Sequence, residues 1–130
     1  MRYAKNAGAV FSLKYRAVFC PKYRRPVLRS PVDVRLKELF EWIAGDRELM
    51  LHAMEIMPDH VHLFVEADPT LCVAELVNRL KGVSSRVLRQ EFPFLRSRLP
   101  TLWSRSYFAA TVGADSEATI QRYIENQKGK

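Results

Sequence analysis

Residues 49–66 read LMLHAMEIMPDHVHLFVE: two apolar runs, Leu49 to Met57 and His60 to Glu66, that meet at Pro58-Asp59. Each run has the length of a strand, and proline ends the first because its nitrogen has no hydrogen to give to a ladder. So short a connection predicts an antiparallel hairpin. Side chains alternate across a sheet, so Val61, Leu63 and Val65 share one face while His60 and His62 share the other. The apolar face needs a cover, and the flanking sequence supplies one. Upstream, Phe11, Leu13, Tyr15, Ala17 and Phe19 alternate with Ser12, Lys14 and Arg16, which predicts a half-buried strand over 9–20 with a basic outer face. The Cys20-Pro21 and Arg25-Pro26 steps mark a loop. Val32, Leu36, Leu39, Phe40 and Ile43 then recur at helical intervals from Pro31 to near Gly45. Downstream, Asp68-Pro69-Thr70 predicts a capped helix start, followed by the stripe Val73, Leu76, Val77, Leu80, Val87 and Leu88. Residues 91–102 read as an irregular connection, Trp103 to Val112 as a strand, Gly113 as a break, and Asp115 as the cap of a last helix reaching about Lys128.

The resulting order, β-α-β-β-α-β plus a C-terminal helix, predicts an α+β fold: a ferredoxin-like antiparallel sheet with both helices on one face. The other face is expected to lie open to water or a ligand. At 130 residues the chain is read as a single domain, 1–130, large enough to bury a core without disulfide or metal staples. Its 48% hydrophobic and 27% charged residues exclude disordered and collagen-like classes. No uncharged apolar run nears the roughly 18 residues of a membrane span, so no membrane role and a cytoplasmic place are expected. Cys20 and Cys72 form no CxxC and are expected to be reduced, buried thiols. The charge is +7, and its distribution is more telling than its size. Eight Lys and Arg residues from Arg2 to Arg29 precede the first acid, Asp33, and a second basic stretch runs from Arg79 to Arg105. Such clusters suit a polyanion, although a solvated basic surface has the same composition.

Two residue pairs carry possible chemistry. His60 and His62, side by side on one strand face, are placed as two ligands of one metal ion would be; partly exposed sheet histidines are the plainer alternative. Tyr123 and Gln127 lie four residues apart on the last helix, with Ile120 and Ile124 beside them as a packing stripe. An amphipathic helix with an exposed tyrosine has that spacing too. Taken together, the pairs offer two imidazoles, one amide oxygen and one phenol. A divalent ion on the first three would polarise a phosphoryl group, and the phenol is a possible nucleophile toward phosphorus.

In order along the chain stand Lys22-Tyr23-Arg24-Arg25, Met57-Pro58-Asp59-His60-Val61-His62-Leu63, Leu80-Lys81-Gly82, Leu102-Trp103-Ser104 with Ser106-Tyr107-Phe108, and Tyr123-Ile124-Glu125-Asn126-Gln127. This ordered set resembles the single-tyrosine HUH transposases of the insertion-sequence 200 and 605 group almost end to end. Arg105 departs from it, standing where the family form has proline. The resemblance implies a DNA transposase that cleaves and rejoins single-stranded DNA at insertion-sequence ends through a 5′-phosphotyrosine. It makes Tyr123 the nucleophile and His60, His62 and Gln127 the ligands of Mg2+ or Mn2+. It also implies a homodimer that binds hairpins at the element's ends, in which the tyrosine helix acts in cis or completes the partner's site; Gly113, a flexible residue just before that helix, is a candidate hinge for such a swing. Lys14, Arg16, Arg24, Arg25, Arg79, Lys81 and Arg86 are candidate phosphate contacts, and Tyr23 a candidate stacking residue. His52 reads as structural, Tyr15 as packing, and Asp59 as either a support for a histidine or part of the turn. The competing readings are a REP-associated tyrosine transposase, a ferredoxin-like module that binds nucleic acid without cutting it, and a metal-dependent hydrolase using water.

Overall fold

The computed structural model describes residues 13–46, 49–68 and 70–112 in full, and 4–6 and 9–11 as backbone. In chain order the elements are β1 (Ala4–Asn6), β2 (Ala9–Phe11), β3 (Leu13–Phe19), α1 (Val32–Asp46), β4 (Met50–Met57), β5 (His60–Ala67), α2 (Val73–Glu91), α3 (Phe94–Arg98) and β6 (Phe108–Thr111). The helix expected from Asp115, with Tyr123, Gln127 and the Gly113 hinge, lies outside the described residues.

The hairpin forms as read: Met57 pairs with His60 and Glu55 with His62 across the Pro58-Asp59 turn. It becomes one half of a four-stranded antiparallel sheet of order β4-β5-β3-β6, the ferredoxin-like arrangement. One sheet face, carrying Tyr15, Ala17, Phe19, Val61, Leu63 and Val65, packs against Leu36, Phe40 and Ile43 of α1 and Leu76, Val77 and Leu80 of α2 in one continuous core.

The opposite face departs from expectation. It is not left open along β5, where every residue from Val61 to Ala67 is buried and Phe64 is wholly so. The cause is position. As an inner strand, β5 has neighbours on both sides, and among the described residues Ala53, Val112 and the His52 ring close over Phe64. His52 sits where the β4–β5 register slips between Leu51 and Ala53, and its Nε2 meets Glu66 Oε1 at 2.7 Å, which makes it structural.

Other readings change too. The strand expected over 9–20 is split, because pairing with β5 begins only at Leu13, opposite Ala67; residues 9–11 pair with β1 in a separate two-stranded sheet. Asp68 does not cap a helix at Thr70: its carboxylate accepts from the Thr70 backbone N–H and hydroxyl, and α2 starts at Val73. The 91–102 connection contains α3, and Cys72, at the head of α2, is exposed rather than buried.

The expected 103–112 strand survives only as β6 and an isolated bridge between Pro21 and Trp103. Between them the pairing slips by two residues, and Lys81 explains the excursion. Its Nζ donates to the carbonyls of Ser104 at 2.8 Å and Ser106 at 3.1 Å, turning them toward α2 and away from a ladder. Trp103 is locked beside it: the indole Nε1–H donates to Ser84 Oγ at 2.9 Å, the Ser84 hydroxyl donates to Leu80 O at 2.6 Å, and the ring meets Phe19 edge-on at 4.9 Å.

Candidate active site

The histidine pair lies at the end of the sheet where β4 turns into β5. Cross-strand partners share a face, so the register sets Glu55, His62, Val18 and Phe108 in one row across the sheet. Ala53, Phe64, Arg16 and Ala110 form the next. His60 sits at the mouth of the turn, with Nδ1 2.9 Å from Asp59 Oδ1, and Arg24 Nε–H donates to Asp59 Oδ2 at 3.0 Å. The carboxylate thus stands between an imidazole and a guanidinium. The hydrogen bond to His60, joined by the Arg24 bond and charge, holds Asp59 below the usual carboxylate range despite some desolvation.

His62 lies deeper, at 7% exposure. Burial, joined by the positive charge of Arg16 and by His60, pushes its imidazole below the ordinary value and favours the neutral form. Both features suit a metal ligand, which must be neutral and is commonly oriented through its second nitrogen. Two such imidazoles fit part of a divalent site. Among the described residues no group of three or more His, Cys, Asp or Glu side chains could complete one, and Gln127 is outside them.

Glu55, a carboxylate 1% exposed and directly across from His62, was not singled out from the sequence. The same two-residue turn that pairs Met57 with His60 pairs Glu55 with His62, so counting back through the hairpin would have found it.

The candidate DNA contacts fall into three places. Lys14 and Arg16 lie on the histidine face of β3, where Arg16 stacks its guanidinium 4.9 Å from the centre of the Phe108 ring. Tyr23, Arg24 and Arg25 occupy the turn after β3, at the same end of the sheet as His60; Arg25 and Arg98 line a cavity of about 340 Å³ floored by Pro26, Val27 and Leu99. Arg79 and Arg86 are on α2, in the helical layer behind the sheet, where Arg79 lies 3.8 Å from Asp46. The structure does not bring those two to the histidines. Lys81 is engaged with loop carbonyls, and desolvation depresses its ammonium, so a phosphate contact from it would cost those bonds. Tyr23, Tyr107 and Phe108 form an exposed aromatic group at the histidine end, with the Lys22 ammonium over Tyr23 and that of Lys81 over Tyr107. Tyr107 and Phe108 are stacking candidates that a strand reading of 103–112 had concealed.

A ferredoxin-like sheet that carries a histidine pair on an inner strand, edged by basic and aromatic side chains, is the arrangement to be compared with known proteins. Residues 9–127 match the family described as Transposase IS200 like. The chain is 40% identical over 128 residues to the ISDra2 transposase TnpA of Deinococcus radiodurans, covering 97% of this chain and 91% of that protein. It is 34% identical over 123 residues to the transposase for insertion sequence element IS200 of Salmonella typhimurium, covering 90% and 78%. Among solved structures, a Deinococcus radiodurans crystal structure superposes with a TM-score of 0.76 at 40% identity, covering 95% of this chain and 97% of that one. A REP-associated tyrosine transposase bound to a REP hairpin shares the fold, with a TM-score of 0.61 at 14% identity, covering 95% and 67%. The chain belongs to the IS200-like transposase family. No helix among the described residues is long and apolar enough to cross a membrane.

Proposed function

We propose that this transposase cleaves and rejoins single-stranded DNA at the ends of an insertion sequence through a covalent phosphotyrosine on Tyr123. His60, His62 and Gln127 would hold the divalent cation, Mg2+ or Mn2+, which when bound supplies Lewis-acid stabilisation of charge on the phosphoryl oxygens. In cleavage the Tyr123 phenolate oxygen bonds to phosphorus, the P–O3′ bond breaks, and the departing 3′ oxygen takes up a proton. The products are a 5′-phosphotyrosine and a free 3′-OH. Attack on that linkage by another 3′-OH restores a phosphodiester and releases Tyr123, so the bond energy is conserved and no nucleotide is consumed.

The main support is the setting of the two imidazoles: one is tied at Nδ1 to a carboxylate, and the other lies buried on an inner strand, where burial pushes its pKa down. A module that only binds nucleic acid has no need for either arrangement. The substrate strand is received by Arg16, Arg25, Tyr23, Tyr107 and Phe108, which lie on the histidine face of the sheet or in the segments at its histidine end. The hairpin-bound neighbour supports a folded-back DNA end as the ligand, and 40% identity to an insertion-sequence transposase against 14% to the REP-associated one supports the insertion-sequence type. Action as a homodimer, with the tyrosine segment working in cis or on the partner's site, completes the proposal.

The decisive experiment incubates labelled single-stranded DNA from the gene's flanks with wild type and Tyr123→Phe, with and without Mn2+, on a denaturing protein gel. A metal-dependent covalent band, specific to one single strand and absent from Tyr123→Phe, is expected. Cleavage that survives Tyr123→Phe would move the reaction to a water-based hydrolase. Binding with no adduct on either strand would leave only a binding module.

A further inference from the structure

The turn that follows β3 carries an unusual backbone. Tyr23 and Arg24, neither of them glycine, both adopt left-handed conformations, with φ of 58° and 53°. L side chains rarely accept that region, and two in succession persist only where the surroundings impose them. Here they do. Lys22 N–H donates to Leu102 O at 2.8 Å, Arg24 N–H to Pro21 O at 2.9 Å, and Leu28 N–H reaches the β4–β5 turn at Pro58 O, 3.0 Å away. What the contorted turn achieves is placement. It carries the Arg24 guanidinium to Asp59 Oδ2, and the other oxygen of that carboxylate meets His60 Nδ1. An ion pair whose arginine side chain is 65% exposed adds little to stability, so stability does not explain why the strain is kept.

We propose that Arg24 is a positioning residue for the histidine pair, acting through Asp59. Arg24 fixes the carboxylate by one oxygen, and the second oxygen accepts the Nδ1–H of His60, which holds the imidazole in the Nδ1–H tautomer and keeps Nε2 as the lone-pair nitrogen. The same turn exposes Tyr23, so the segment that presents an aromatic ring to a nucleic-acid strand also sets the tautomer of a metal ligand. Arg24 is thereby assigned to the protein's own site rather than to a phosphate. The inference rests on the reading of His60 as a ligand.

Two measurements separate the inference from that reading. The first is the tautomer of His60 by imidazole 15N NMR at pH 8, without metal, in wild type, Arg24→Gly and Asp59→Ala. Glycine accepts a φ of 53°, so Arg24→Gly removes the guanidinium while relieving the turn, and unchanged thermal melting is the check on folding. The second is Mn2+ affinity by EPR titration, without DNA, in the same proteins and in His62→Ala. The expected result is an Nδ1–H imidazole in wild type that shifts toward Nε2–H in both variants, with Mn2+ binding weakened about 10- to 100-fold. Variants that keep the wild-type tautomer, or that bind Mn2+ as wild type does while His62→Ala has lost it, overturn the proposal. Wild type and His62→Ala that bind Mn2+ equally poorly would instead sink the metal reading, and the tautomer alone would then judge Arg24.

Discussion

His60 and His62 stand two residues apart on one strand, yet they meet different surroundings. His60 lies at the turn with a carboxylate on its ring, whereas His62 lies in the sheet beside Glu55, with Arg16 one row away. The depressed pKa of His62, caused mainly by burial, has a sign that can be followed into stability. Below the ordinary imidazole value of 6.5 the unfolded chain binds a proton that the folded chain resists, so acid favours unfolding. Stability from this group is therefore complete above pH 6.5 and is lost as the pH falls from there toward the lower folded value. The metal-free protein is expected to melt at a lower temperature at pH 5.5 than at pH 7.5, and His62→Gln to show a smaller difference. Equal differences in the two proteins would remove His62 as the cause.

At the scale of elements, Lys81 governs how the last strand of the sheet begins. One ammonium on α2 gathers the carbonyls of Ser104, Arg105 and Ser106 and lies over the rings of Phe19 and Tyr107. Removing it leaves carbonyls turned toward a helix with no donor. Lys81→Met, which keeps most of the stem, is expected to cost about 1–3 kcal/mol in chemical denaturation, the range for a lost charge-assisted bond with partly buried acceptors. Lys81→Arg should recover part of that. A loss below about 0.5 kcal/mol for Lys81→Met would mean that the loop is held by the Trp103–Ser84 bond alone. The excursion at 104–107 was not legible from residue pattern, because the residue that breaks the ladder lies more than twenty positions upstream. The division of 9–20 was hidden for a similar reason: it depends on where β5 ends, which is a property of the partner strand. The β4–β5 hairpin, in contrast, was legible down to its facing side chains, since a two-residue turn and a period of two fix every pair as far as the His52 bulge.

Across the whole molecule, basic side chains among the described residues stand in both layers, and only some of them adjoin the histidines. Sequence clustering alone could not sort Arg16 from Arg79, because that assignment depends on which layer each element joins. The sorting is measurable through salt. Each phosphate neutralised on a single strand contributes about 0.7 to the slope of log affinity against log salt concentration. Arg16→Gln is expected to lower that slope by about one contact, while Arg79→Gln, in the helical layer, leaves it unchanged. Equal effects from the two would place the DNA path over α2 as well.

The histidines sit on an inner strand hydrogen-bonded along both edges, between β4 and β3. Such a strand opens only when the sheet does, so the backbone that carries the two histidines is set for as long as the molecule stays folded. In the proposed reaction, which parts one strand and joins another, this is the portion that stands still. Every displacement that the proposed exchange would demand of the DNA ends takes place around a fixed point.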